Sequence, residues 1–440
     1  ACTLQNEWCF NTTKKVTMYS TTMPTNVKIP TVEIGINLNA FNYITIDNLA
    51  FEGYNSNGIF ANLSDLVSNT GITIQDCKFD FIGKFAIFTN RRKSNGIVIT
   101  NNVIDECNDG GIHVGSTDDA IISDNIMTNT GNLVGMGQNG DESYSGIVSF
   151  AGDNCKVYRN NITNAGYVGI RWDGDGTEIV NNTVINTNYI KDDGGGIYNY
   201  PNNGDDTIDT HVKRRLVKGN IVIDAPGNNE GSHPDYQSLE GYCIYNDGNS
   251  SDTDFIDNFC YNSAGSTGCF FMNGGYNNIV DNNLFLGSQR VLRSHVVKNI
   301  TPLAHQYTNN TYVAKESNQY PIYWQIPAIP ASWLLSGNRY AKPIDDSSAK
   351  MWIDDGVDAK YTLVAYKARP FLSNEDQNAT NSVISVANSS KILHFYNETA
   401  VGKTIALGAG VYRDAKDGTT KTGNIILQPY TGIVLLNTVW

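Results

Sequence analysis

One pattern returns along the first two thirds of the chain and restricts its possible folds more than any other feature. A short β-branched run leads into paired Asn or Asp residues, a second apolar pair follows, and a Gly-Ile step comes later. The returns are ITIDNLAF from Ile44, ITIQDCKF from Ile72, IVITNNVI from Ile97, AIISDNIM from Ala120, KVYRNNIT from Lys156, TEIVNNTV from Thr177, RLVKGNIV from Arg215, TDFIDNFC from Thr253 and NNIVDNNLF from Asn277. Taking Asn48, Asp76, Asn102, Asn125, Asn161, Asn182, Asn220, Asn258 and Asn283 as markers, the intervals run from about 21 to about 38 residues, room for two or three short strands each. A sandwich would place hairpin turns at no fixed phase, whereas each unit here repeats the same internal order. Stacked coils account for that order. In a solenoid each strand pairs with its counterpart one repeat later, about 4.8 Å away, and inward side chains form apolar ladders. Corner Asn residues hydrogen-bond their own turn and the next coil, so these are read as structural.

The coils differ in length. Extra residues at 129–145, 201–212 and 226–240 lie beside Gly-Ile steps, and loops raised next to one ladder of strands would wall a groove. After about residue 300 the repeat fades, and YPIYWQIPAIPASW from Tyr320 reads as the end of the stack or a linker. From about 345 the texture changes: ILHFYN, KTIALGAGVYRD, GNIILQPY and GIVLLNTVW alternate or cluster apolar residues between turns. The expected organisation is an all-β chain with a parallel β-helix over 1–335 and a small C-terminal β-sandwich over 345–440, the latter covering the open edge of the last coil.

Gly 41, Tyr 24 and a charged fraction of 17% suit a turn-rich β protein with little helix. The formal net charge of -13 argues against nucleic acid or an anionic membrane as partner, and leaves a neutral or partly charged glycan. No stretch approaches the roughly 20 apolar residues that cross a bilayer, and the first residues lack a signal-peptide pattern, so the chain reads as mature or truncated. The eight Cys show no CxxC pair, which argues against structural zinc. Cys2 and Cys9 are close enough in sequence for a local disulfide, whereas Cys77, Cys155, Cys243 and Cys269 lie in apolar runs and read as core.

The segments KDDGGGIYNY from Lys191 and GYCIYNDGNSSDTDFIDN from Gly241 resemble those of bacterial glycoside hydrolases in the pectin-lyase-like group, specifically the family with α-L-fucosidase and xylanase members. There a DGGxIY step precedes a GIYxDxGSS step. The resemblance implies a right-handed parallel β-helix, a secreted, periplasmic or cell-surface location, a polysaccharide or oligosaccharide substrate from plants or algae, and catalysis by a pair of carboxylates.

Setting the Gly-Ile strands in register by Ile170, Ile197 and Ile244 places Asp173, Tyr200 and Asp247 in one column, three residues on. Asp193 and Glu240 form a second column, four residues back. Carboxylates one coil apart stand about 5 Å from each other, the spacing of a retaining pair, whereas two coils give about 9.5 Å, near the inverting limit. Like charges so close cannot both ionise comfortably, so one becomes a general acid. Asp193 leads as catalytic candidate because it lies in the segment carrying the resemblance; Asp247, Glu240 and Asp173 follow, with Asp192 as a substitute for Asp193. Turn roles compete for all of them. Trp172, Tyr198, Tyr245 and Tyr144 are candidate sugar-stacking rings. Arg171 pairs either with an acidic sugar or with Asp173, and His113 and His233 complete the binding candidates.

Two other functions compete. A polysaccharide lyase would need a Lys, Arg, His or Tyr base and charge neutralisation on a uronate; Arg171, Lys191, Lys213 and Arg214 offer basic groups without a clear pair. A non-catalytic glycan-binding solenoid would use the aromatics alone. Asp205, Asp206 and Asp209 offer oxygens for Ca²⁺, but DDTID lacks an EF-hand's spacing and Gly, so no metal or cofactor is assigned. A monomer is expected.

Overall fold

The structure is a computed structural model describing all residues except 1–7, 11–15, 26, 40, 63–68, 202–206, 231–238, 263–266, 288, 327–328, 355–357, 370–375 and 438–440. Three sheets of 13, 11 and 11 strands run its length, and the chain visits them in a fixed cyclic order. This is the right-handed parallel β-helix that the repeat demands. Parallel pairing of the first sheet continues to Met351–Ile353, where an antiparallel strand, Ala359–Tyr361, ends it.

In-register pairing stacks like on like. In the second sheet the inward column runs Ile46, Ile74, Ile99, Ile122, Val157, Ile179, Val217, Phe255, Val280, Tyr307, Leu335, all buried. Burying each such side chain contributes roughly 1.5–3 kcal/mol. The shift to Phe and Tyr in later coils fills the same tunnel with larger rings.

The corner between the second and third sheets takes two residues. The first is left-handed, for example Asn48 (φ 54) and Asp76 (φ 55), a conformation Asn and Asp tolerate. The second is a fully buried asparagine whose Nδ2 donates to the Oδ1 of its counterpart one coil later: Asn102, Asn125, Asn160, Asn182, Asn220, Asn258, Asn283, Asn310, Asn338. Two corrections follow. The ladder residue of its coil is Asn160, not Asn161, and Asn48 and Asp76 hold the left-handed position while Leu49 and Cys77 fill the ladder slot.

Strands of the first sheet carry the features below and are labelled β1 (Gly110–Asp118), β2 (Ser145–Phe150), β3 (Ile170–Trp172), β4 (Gly194–Asn199), β5 (Gly241–Asn246), β6 (Gly268–Asn273), β7 (Arg290–His295) and β8 (Tyr320–Gln325). A short helix, α1 (Leu363–Lys367), starts at Thr362, whose side chain accepts from the Ala365 amide. Leu363 and Tyr366 of α1 join the solenoid core at its end. The C-terminal strands β9 (Ile392–Asn397), β10 (Lys403–Asp414), β11 (Thr420–Leu427) and β12 (Thr431–Asn437) form one four-stranded antiparallel sheet. Its Val434 and Leu436 pack on Phe259, Leu284 and Leu286 of the third solenoid sheet. The sheet therefore covers the solenoid's flank, and the role of end cap expected for it falls to α1. Cys77, Cys155, Cys243 and Cys269 are buried free thiols; Cys2 lies outside the described residues. Among the described residues no helix is long and apolar enough to cross a membrane.

Candidate active site

Because β-strand side chains alternate, the residue after each ladder isoleucine of the first sheet faces outward. Pairing aligns these residues into a stripe: Phe60, Phe88, His113, Val148, Arg171, Tyr198, Tyr245, Phe271, Arg293, Tyr323, Trp352. At its middle lies a cavity of about 380 Å³ lined by Asp141, Tyr167, Arg171, Asp193, Tyr198, Tyr200, Tyr245, Asp247 and Asn273. Ile170, Ile197 and Ile244 are paired as the sequence indicates, so Asp193 and Asp247 belong to neighbouring coils.

The two carboxyls line one cavity with Tyr245 between them. Tyr245 Oη donates to Asp193 Oδ1 at 3.4 Å and accepts from Asn273 Nδ2, which also donates to Asp247. Asp247 is 6% exposed; its Oδ1 accepts from Asn273 Nδ2 at 2.7 Å and the Gly248 amide at 2.7 Å, and its Oδ2 from Tyr198 Oη at 2.8 Å. Burial raises the Asp247 pKa while these donors, which favour the charged form, pull it back. Asp193 stands on the rim in a left-handed conformation (φ 55), its residue surface exposed. Protein packed around its carboxyl, then the charges of Asp247, Glu240 and Asp192, lift it to about 7. Solvent at the rim screens part of that effect, so about 7 is an upper bound. Burial and the neighbouring Asp247 charge hold the Tyr245 and Tyr198 phenols well above their ordinary range, so both are donors.

The remaining candidates separate. Trp172 is 1% exposed and belongs to the core, because it alternates with Arg171 and faces the tunnel. Asp173 sits in the expected register, yet its carboxylate bonds the fully buried Arg215 at 3.1 Å, away from the cavity. Glu240 adjoins Asp193 but is paired with Arg293 at 2.9 Å and accepts from Tyr242 Oη, which leaves it a positioning group. Asp192 accepts from the Glu240 amide at 2.7 Å and holds the turn. Tyr144 Oη accepts from the Gly135 and Gly137 amides and anchors the 129–145 loop. His113 is 2% exposed, stacked on Phe88 and bonded to Glu142 at 2.9 Å, several coils from the carboxyl pair. His233, Asp205 and Asp206 lie outside the described residues. Tyr200, level with Asp247 in the column read from the sequence, also lines the cavity, and residues the sequence did not single out complete it: Tyr167, Asn273 and, from the first long loop, Asp141. Asn273 is findable by carrying the third-residue column one coil further, from Phe270; Tyr167 and Asp141 precede their strands, where no register applies.

Asp173, Asp209 and His211 converge as a donor set of the kind that holds metal ions. Here Arg215 already supplies a cation, 3.1 Å from Asp173 and 3.7 Å from Asp209. His211 bonds Asp175 at 2.5 Å and Asp209 at 2.7 Å through its two ring nitrogens; burial lowers its pKa, and these carboxylates more than offset that. The cluster is complete as a network of ion pairs fastening the second long loop.

The family model of the right handed beta helix region matches residues 34–229. No curated protein matches the chain. Similar solved structures include DFA-IIIase from Arthrobacter chlorophenolicus A6 in complex with GF2 (16% identity, TM-score 0.37, 62% of this chain and 63% of that one). A catalytic domain of a GH87 alpha-1,3-glucanase with nigerose is 13% identical, with TM-score 0.37 over 80% of this chain and 56% of that one. A tailspike protein of E. coli bacteriophage HK620 with a hexasaccharide is 11% identical, with TM-score 0.39 over 90% and 82%. The chain thus spans less than two thirds of the first two.

Proposed function

We propose that the protein is a secreted glycoside hydrolase acting on a plant or algal polysaccharide or oligosaccharide bound along the outward stripe of the first sheet. The observation that carries this is the convergence of Asp193 and Asp247, from adjacent coils, on one cavity, bridged by Tyr245 and Asn273. Asp193 precedes its strand and Asp247 follows its own, so the two carboxyls face each other across the cavity rather than in one column, and the pair is taken as retaining, which requires carboxyls about 5–5.5 Å apart. The pair shares one proton near neutrality. Asp193, at the solvent-facing rim, gives that proton to the glycosidic oxygen as the bond breaks. Asp247, held ionised by Asn273, Tyr198 and the Gly248 amide, attacks the anomeric carbon; Asp193 then takes a proton from the water that releases the sugar. Tyr198, Tyr245 and Phe271 offer rings and hydroxyls to the pyranose. No cofactor enters these steps.

A lyase would abstract a proton with a base at this place, and the buried phenols are held protonated, which favours hydrolysis. The test is a panel of plant and algal polysaccharides treated with wild type, Asp193→Asn and Asp247→Asn, reading reducing ends, ultraviolet absorbance of unsaturated uronides and the product anomer by ¹H NMR. The expected result is new reducing ends without absorbance, with retained configuration, reduced at least about 10³-fold in either variant. Absorbance, or full activity in both variants, overturns the assignment. Binding without turnover would make the stripe a recognition surface.

A further inference from the structure

Arg171 is the anomaly of the cavity. It is 8% exposed, yet among the described residues it makes no hydrogen bond or ion pair, and its Nε is buried without an acceptor. The Phe150 ring lies 5.1 Å from the guanidinium carbon, and Glu142 acts on Arg171 only through its charge. The alternative held open by the sequence, that Arg171 holds Asp173, is removed by Arg215, which fills that role. Two other cations of this face have acceptors, Arg293 in Glu240 and Gln325 and Lys191 in the Gly140 carbonyl, while Arg290, whose Nε also lacks an acceptor, is covered by two rings, Tyr323 and Trp352. A guanidinium without hydrogen-bond acceptors out of water is costly even where a carboxylate nearby offsets its charge, and it is tolerated where a ligand completes it. Arg171 lines the same cavity as Asp193 and Asp247. Its column position is one coil before Tyr198 and two before Tyr245, which puts it about one sugar ring from the reacting centre, at the coil spacing of about 4.8 Å.

We infer that Arg171 receives an anionic substituent, the carboxylate of a uronic acid or a sulfate ester, on the sugar adjoining the one that is cleaved. The planar fork of Arg donates two parallel N–H bonds to such a group, which a hydroxyl cannot reciprocate. The inference rests on the hydrolase reading for the word cleaved, while recognition of the anion is measurable by itself.

The experiment is a calorimetric binding series on the full chain. The probes are uronate-containing oligosaccharides, their carboxyl-reduced counterparts, and sulfated oligosaccharides with their desulfated forms, each against wild type, Arg171→Gln and Arg171→Met. Wild type is expected to prefer one anionic class by about 10²-fold over its neutral counterpart, and both variants to lose that preference while binding the neutral sugars as before. Which class is preferred distinguishes carboxylate from sulfate. Equal affinity for charged and neutral probes in wild type, or a preference that survives in the variants, overturns the proposal. Thermal denaturation separates recognition from structure: a guanidinium without protein acceptors predicts that Arg171→Met melts no lower than wild type, and a large drop overturns it. Turnover in the same samples reports on the hydrolase independently, since a preference without cleavage removes that reading and leaves the anion site.

Discussion

At the residue scale the site turns on where one proton resides. Asp193 and Asp247 line one cavity and repel each other as anions, so the proton settles on the carboxyl with fewer donors. Asp193 accepts from Tyr245 at 3.4 Å, whereas Asp247 has donors at 2.7, 2.7 and 2.8 Å. A general acid must be protonated to act, and a carboxyl raised toward about 7 loses its proton as pH rises through that value. The alkaline limb of kcat/KM therefore falls at or somewhat below pH 7, well above the range of an ordinary carboxyl. In Asp247→Asn the adjacent charge is gone, and the ¹³C carboxyl signal of Asp193 should titrate at lower pH than in wild type. An Asp193 that titrates at an ordinary value of about 4 in both proteins would exclude it as the acid.

At the scale of elements the coil is the unit, and the asparagine ladder binds coils together as firmly as the strands. Asn220 donates to the Ile179 carbonyl and to Asn258, and its Oδ1 accepts from the backbone and side chain of Asn182. Asn220→Ala leaves several buried groups unpaired at once, and a cost of about 2–4 kcal/mol is expected in chemical denaturation. The same regularity made much of the site legible. In-register pairing preserves offsets, so counting from Ile197 and Ile244 set Asp193 level with Glu240 and, in a separate column, Asp247 level with Tyr200. It also put Tyr198 and Tyr245 beside them. The side-chain directions that join Asp193 to Asp247 across one cavity are not encoded by counting. Counting fixes position along a strand and leaves the facing of each side chain to alternation. Hence Trp172, next to outward Arg171, belonged to the core, and Asp173, beyond the strand end, turned to Arg215. The charge partners Arg215 and Arg293 come from other strands at separations no local pattern encodes. The one-residue slip at Asn161 arose because two adjacent asparagines offer the same letter to the ladder.

At the scale of the molecule the solenoid separates two tasks by putting them on different sheets. The first sheet carries the cavity, and the third carries the C-terminal antiparallel sheet through Phe259, Leu284, Leu286 and Val313 against Val434 and Leu436. A large apolar face of this kind is not left open to water in a soluble protein. Leu436 is fully buried, paired across β9 with Ile392, and faces that interface. Leu436→Asp places a charge in the apolar layer formed with Phe259, Leu284 and Leu286, so the antiparallel sheet should detach. Limited proteolysis is expected to cut the variant ahead of β9, and the variant should self-associate at concentrations where wild type does not. Its glycan cleavage per folded molecule should stay within about twofold of wild type, because no residue of β9–β12 lines the cavity and distant sites act additively. Loss of cleavage in a variant whose solenoid still melts cooperatively would instead tie the C-terminal sheet to the groove.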